Sequence, residues 1–288
     1  MNPEDTYCAV QDRYASVASQ TSPNPHKAYE RKVATAFGYA PEDLLSIPER
    51  ANLGVSCGNP VAMASIQTGE TVVDLGSGGG IDVLLAAKKV GLEGKAIGVD
   101  MTTDMIELGR NNATRAGAAN VSFVEARITS IPLSSATVDC ILSNCVVNLV
   151  PETEKPLVFR EMFRLLKPSG RVAISDILAK RELPMEIKTD LSLYVGCVAG
   201  ASQVRDYEKW LRAAGFEDIV IVNTNNDLNI YKELYQGQET QGLGPRGSCC
   251  DPTMQGATGQ SKATVNVDFN YWTGSFTIFA VKPDKTSA

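Results

Sequence analysis

The sequence predicts an α/β fold: a mostly parallel, doubly wound sheet covered by helices, an antiparallel pair at its C-terminal edge and a helical segment ahead of it. Three observations lead there. Short β-branched runs alternate with amphipathic segments of helical length through the middle of the chain. The first such run, Thr71–Leu75, empties into a cluster of glycines and then a helix. The second, Lys95–Asp100, ends in an acid.

Taken in order, residues 1–59 read as an N-terminal helical cap, with Pro41 placed where a helix begins in Pro41-Glu42-Asp43-Leu44-Leu45. Residues 60–180 read as the core. After Thr71–Leu75 comes the helix Ile81–Val90, with apolar residues at 81, 84, 85 and 87 and Gly91 as its stop. Strands follow at Lys95–Asp100, Val121–Glu125, 138–143 and 171–176, and helices at Thr103–Ala116 and 152–166. The second of these helices is expected to end at Lys167-Pro168-Ser169-Gly170. Residues 181–288 are assigned to a substrate lid, a helix at 207–214 and strands at 218–222 and 275–281. Between the two strands, residues 236–262 are rich in Gly, Gln, Ser and Thr and read as a mobile loop.

Composition narrows the function classes. The 288 residues carry 27 Lys and Arg against 33 Asp and Glu, a net charge of −6 that suits a nucleic-acid backbone poorly. No apolar stretch reaches the roughly 18–20 residues of a membrane helix, and the acidic Met1-Asn2-Pro3-Glu4-Asp5 lacks the marks of a signal peptide. The expectation is a cytoplasmic protein with no nucleic-acid and no membrane partner. Cysteines 8, 57, 140, 145, 197, 249 and 250 are then thiols, and no CxxC pair points to zinc. His26 is the single histidine and reads as a solvated loop residue, so neither a multi-histidine metal site nor histidine acid–base catalysis is expected.

The sharpest local signal is Val72-Val73-Asp74-Leu75-Gly76-Ser77-Gly78-Gly79-Gly80-Ile81. Glycines at a strand-to-helix turn allow positive φ and close approach of a ligand to free N–H groups. The spacing is G-x-G-x-G, and Ile81 stands where a dinucleotide fingerprint requires a further glycine. Asp100, at the end of Gly98-Val99-Asp100, lies 20 residues beyond Gly80, where a carboxylate accepts ribose hydroxyls. A glycine loop alone is equally a structural turn or the site of another nucleotide.

Three thiols stand out by context. Cys57 lies in the turn-forming Leu53-Gly54-Val55-Ser56-Cys57-Gly58-Asn59-Pro60, and Cys145 at the end of the fourth strand in Ser143-Asn144-Cys145-Val146-Val147-Asn148-Leu149-Val150-Pro151. Cys197 lies after the fifth strand in Tyr194-Val195-Gly196-Cys197-Val198-Ala199-Gly200-Ala201, with Gly196 able to let that segment move. A free cysteine is commonly a small buried hydrophobe, the role expected of Cys140, and Trp210 falls at helical spacing as a core residue. Thiolates also suit a soft, thiophilic centre such as trivalent arsenic, which takes three sulfurs and keeps a lone pair.

The sequence resembles the class I S-adenosylmethionine-dependent methyltransferases, whose Rossmann-like fold the elements above match. Asp74 through Gly80 look like their first motif and Asp100 like their ribose-binding acid. The resemblance implies that Asp74, Gly76, Ser77, Gly78, Asp100, Met101, Arg127, Ile128 and Asn144 bind the cofactor. Adenine would lie against Met101 and Glu125-Ala126-Arg127-Ile128, and Asn144 would face the methionine half.

Over roughly residues 50–225 the chain is more specifically similar to the arsenite methyltransferases, through its cysteine motifs, Gly98-Val99-Asp100-Met101-Thr102 and Ser175-Asp176. By that likeness Cys57, Cys145 and Cys197 hold As(III), which arrives as a glutathione or similar thiol conjugate. Its lone pair attacks the sulfonium methyl, so no general base is needed. Arsenic is the substrate and no metal cofactor is implied; glutathione or thioredoxin restores the thiols. The chain departs from that family in two places. The only cysteine upstream of Cys57 is Cys8, and Val55-Ser56 stand where aromatic residues commonly precede the Cys-Gly motif. The pair Cys249-Cys250 reads as a second arsenical trap or as no site at all. The alternatives are a methyltransferase for carbon, oxygen or nitrogen of a small metabolite, and a metalloid-binding protein without catalysis.

Overall fold

The computed structural model describes residues 2–19, 27–188, 190, 193–194, 197–232 and 268–284. The residues 236–262, and with them Cys249 and Cys250, lie outside the described residues, as do His26 and Gly196. Seven strands form one sheet in the order β3-β2-β1-β4-β5-β7-β6. Strand β1 (Thr71–Leu75) pairs in parallel with β2 (Lys95–Asp100) and with β4 (Val138–Asn144). Strand β3 (Val121–Glu125) continues the sheet beyond β2, and β5 (Leu166–Ala179) beyond β4. Strand β7 (Thr273–Val281) runs antiparallel between β5 and the edge strand β6 (Glu217–Asn223).

Alternation along the strands sends side chains to opposite faces. Val73 and Leu75 join Ile141 and Ile174 in one core, while Val72 joins Cys140, Leu142 and Ala173 in the other. The first core is closed by Phe159 and Met162 of the helix α7 (Lys155–Leu165) and by Tyr207 and Leu211 of α9 (Val204–Ala214). The second is closed by Leu84 of α5 (Ile81–Val90) and Ile106 of α6 (Thr103–Ala116). Short helices α3 (Pro41–Leu45), α4 (Pro60–Met63), α8 (Met185–Lys188) and α10 (Phe269–Trp272) link these layers, with α1 (Pro3–Ala18) and α2 (Lys27–Ala36) ahead of them.

Two local expectations are corrected. Leu166 to Gly170 do not form a terminating turn; the chain passes straight from α7 into β5, with Ser169 at φ +62°. Lys167 is held there by the Asp139 carboxylate at 2.8 Å, and Ser169 N–H by the Lys282 carbonyl at 2.9 Å. Helix α9 begins at 204 rather than 207, because Gln203 and Asp206 close a capping box ahead of it. Among the described residues no helix is long and apolar enough to cross a membrane.

Candidate active site

Ligands in open α/β sheets bind beyond the carboxyl ends of the strands, where β1, β2 and β4 deliver their loops here. The turn after β1 is tied to its neighbour, since Gly76 and Ser77 N–H donate to the Val99 carbonyl at 2.7 and 2.9 Å. Gly76 has φ +68°, and a Cβ there would fall 1.9 Å from Val146 Cγ2. Gly78, at φ +49°, aims its N–H at Asp100 Oδ2 (3.0 Å). Asp100 Oδ1 accepts Thr102 N–H at 2.9 Å, so the acid and the loop fix each other.

Eight of the predicted cofactor residues line one cavity: Asp74, Gly76, Ser77, Gly78, Asp100, Met101, Ile128 and Asn144. Tyr7, Val10 and Tyr14 of α1 line it from above. Arg127 is not among its lining residues. Its guanidinium pairs with both oxygens of Glu4 at 2.7–2.8 Å and lies 4.1 Å from the centre of the Tyr7 ring. This residue therefore anchors α1.

Three acids line the cavity. Asp74, Asp82 and Asp100 are each pushed above the usual carboxylate range, chiefly by burial, and for Asp74 also by the charges of the other two. Asp82 accepts from Tyr39 Oη (2.7 Å) and Asn144 Nδ2 (3.1 Å), and Ser77 Oγ is buried without a hydrogen-bond partner. A glycine cradle with an unused hydroxyl, faced by buried carboxylates, fits a ligand that is polar and positively charged. S-adenosylmethionine, with its ammonium and sulfonium, is such a ligand.

The three singled-out thiols meet at the end of β4. Cys145 follows the strand at φ +60°, held by its N–H to the Ser175 carbonyl (2.8 Å). Cys57 donates its N–H to Asn144 Oδ1 (3.1 Å) and its thiol to the Ser175 carbonyl (3.4 Å). Cys197, at φ +69°, donates its thiol to the Cys145 carbonyl (2.9 Å) and is in hydrogen-bond contact with the Cys145 thiol and Tyr14. Left-handed φ at two non-glycine residues costs about 1–3 kcal/mol each, a cost tolerated where function fixes the position. Burial pushes the Cys57 thiol up to about 12; Cys145 is raised chiefly by burial and Cys197 chiefly by its contact with Cys145. Cys145 alone of the three also lines the cofactor cavity.

Asp176, which the sequence marked only as part of the Ser175-Asp176 motif and not as a site residue, stands beside the thiols. One of its carboxylate oxygens and the Cys57 and Cys145 sulfurs lie within 4.8 Å of one another, all buried. Burial raises this acid to about 7, against hydrogen bonds from Tyr207 Oη (2.7 Å) and Ile177 N–H (2.9 Å). The signal was available: like Asp100, it is an acid near the carboxyl end of a core strand. Tyr14, on a helix far away in sequence, left no such mark. Cys140 and Trp210 pack as expected, Cys140 within β4 and Trp210 with ring centroids 5.8 Å from Phe159 and 5.7 Å from Tyr207.

Residues 66–215 match the family described as "Methyltransferase domain". An arsenite methyltransferase of Halobacterium salinarum is 41% identical over 234 residues, covering 76% of this chain and 59% of that protein. The arsenite methyltransferase of Aquipseudomonas alcaligenes is 35% identical over 218 residues, 69% of this chain and 62% of its own. The chain thus spans about three fifths of the length of these relatives. Among solved structures, an arsenic(III) S-adenosylmethionine methyltransferase from Chlamydomonas reinhardtii superposes with a TM-score of 0.54 at 24% identity, over 88% of this chain and 73% of that one. A geranyl diphosphate methyltransferase in complex with S-adenosylmethionine gives 0.61 at 17% identity, over 93% and 94%. At these identities the two structures speak for the fold.

Proposed function

This chain belongs to the methyltransferase-domain family, and from that premise we propose that it transfers methyl groups from S-adenosylmethionine to trivalent arsenic held by Cys57, Cys145 and Cys197. The observation that carries the reading is the convergence of three buried thiols of which one, Cys145, lines a cavity faced by buried acids. The arsenite methyltransferases among the relatives support the choice of acceptor.

S-adenosylmethionine, when bound, supplies a methyl group made electrophilic by its sulfonium. Asp100 takes the ribose hydroxyls, while the Gly76–Gly78 cradle and the buried Asp74 receive the amino-acid end. Asn144 ties the two halves of the site together, donating to Asp82 and accepting from Cys57.

On the acceptor side, the three thiols exchange with the three sulfurs of an arsenite–thiol conjugate. Each cysteine proton passes to a departing thiol, so a neutral complex enters and a neutral complex remains. That balance suits a site whose burial disfavours thiolate charge. The arsenic lone pair needs no deprotonation, and the three sulfurs aim it at Cys145's side of the cavity; alignment supplies most of the rate. The oxidised arsenical or disulfide that results is reduced by glutathione or thioredoxin in the cytoplasm.

The test is S-adenosylhomocysteine release from S-adenosylmethionine, arsenite and glutathione, comparing the native chain with Cys197→Ser. Thiol-dependent release lost in the variant supports the reading. Absence of release from a native chain that binds S-adenosylmethionine moves the acceptor to an organic metabolite.

A further inference from the structure

We propose that Cys57, Cys145 and Asp176, completed by Cys197, form a binding site for a soft divalent cation of the zinc(II) and cadmium(II) class, and that this cation competes with arsenite for the thiols. The competition rests on the arsenite reading above; the cation site does not.

Three of the four donors are already assembled. The Cys57 and Cys145 sulfurs and an Asp176 oxygen lie within 4.8 Å of one another. Cys197 brings a third sulfur into contact with Cys145. Three sulfurs and one oxygen are a set that zinc(II) and cadmium(II) accept in tetrahedral geometry. Trivalent arsenic is different: it is pyramidal, satisfied by three sulfurs, and has a lone pair on its fourth side. Asp176 is therefore the donor that separates the two occupants.

The surroundings of Asp176 resemble the support of a metal-binding carboxylate. Asn148 Nδ2 donates to Oδ1 at 2.8 Å, Ile177 N–H to the same oxygen at 2.9 Å, and Tyr207 Oη to Oδ2 at 2.7 Å. Asn148 Nδ2 also donates to the Ile177 carbonyl at 2.6 Å and lies 3.3 Å from the Cys197 carbonyl, so the amide that holds the carboxylate sits beside the third cysteine. Charge is offset as well. The dication, the three thiolates and the carboxylate sum to two negative charges, and the buried ammonium of Lys155 acts on Asp176 through space. Binding releases one proton for each thiol that ionises. With the cation in place the sulfurs are no longer free to exchange onto arsenic, and a chelator restores them.

The test uses the full reduced chain carrying Cys249→Ser and Cys250→Ser, which removes the adjacent thiol pair. Cadmium(II) is titrated in and followed by the ultraviolet sulfur-to-cadmium charge-transfer band, with affinity set by chelator competition. One cadmium binds per chain; Asp176→Asn weakens it by about tenfold or more, with arsenite affinity held within about twofold. Failure of the starting chain to bind cadmium, or equal affinity in Asp176→Asn, overturns the site. If Asp176→Asn does not fold, displacement in the starting chain decides: arsenite expels the cadmium if the site is shared, and simultaneous binding of both overturns the proposal. Asp176-dependent cadmium binding in a chain that releases no S-adenosylhomocysteine with arsenite would leave this site standing and remove the arsenite reading. Arsenite turnover with cadmium binding indifferent to Asp176 would do the reverse.

Discussion

Single residues set the chemistry here, and their backbone conformations show how. Gly76 combines φ +68° with a position where a Cβ would meet Val146 at 1.9 Å. Gly76→Ala should lower stability by about 1–3 kcal/mol and abolish S-adenosylmethionine binding, as thermal denaturation and calorimetry would show. Cys145→Ser should remove arsenite turnover entirely while changing S-adenosylmethionine affinity less than about threefold, because two buried sulfurs cannot hold arsenic as three do. The buried acids give a pH dependence. Asp82 is raised from an ordinary 3.8 to about 6 by burial, so between those values the folded chain holds a proton that the unfolded chain has released. Stability from this group is therefore lost as pH rises through that window. A cationic ligand favours the ionised acid, so S-adenosylmethionine should bind more tightly, and raise Tm more, at pH 7 than at pH 5. The motif residues were legible because a glycine cradle and a strand-end acid are local patterns. Arg127 was not, since its neighbours in sequence say nothing of Glu4, 123 residues away.

At the scale of elements, helix α1 walls one side of the cavity. Tyr7 Oη donates to Glu154 at 2.6 Å, Gln11 Nε2 to the Met101 carbonyl at 3.0 Å, and Arg50 reaches the Val17 and Ala18 carbonyls at the helix end. Arg127 and Glu4 are substantially exposed, so solvent screens their ion pair and it adds little to stability. Arg127→Ala should leave Tm nearly unchanged and raise the dissociation rate of S-adenosylmethionine severalfold, a difference that stopped-flow fluorescence resolves. The strands were readable because β-branched runs bounded by glycine and acid carry their own period. The docking of α1 was not, because its contacts span 32 to 147 residues and depend on the finished surface.

At the scale of the whole molecule, the alternation of strands and helices specified a parallel sheet, and an antiparallel pair at its C-terminal edge was legible too. The insertion of β7 between β5 and β6 was not, because strand order depends on which edge a returning chain finds open. Once inserted, β7 reaches the thiols, since Ser275 Oγ donates to the Cys57 carbonyl at 2.6 Å. The chain leaves after the turn Leu228–Tyr231 and returns at α10 through paired side chains. Asn270 Oδ1 accepts Leu228 N–H at 2.9 Å, and Asn229 Nδ2 meets Asp268 Oδ1 at 2.9 Å. A cut anywhere in 233–267 should therefore leave two fragments that co-elute and keep Tm within a few degrees, joined by the pairing of β7 with both β5 and β6. Such a clamp works as a port: Asp227, Leu228 and Asn229 on one side and Asp268 and Asn270 on the other hold the two ends of the chain to each other by bonds of their own.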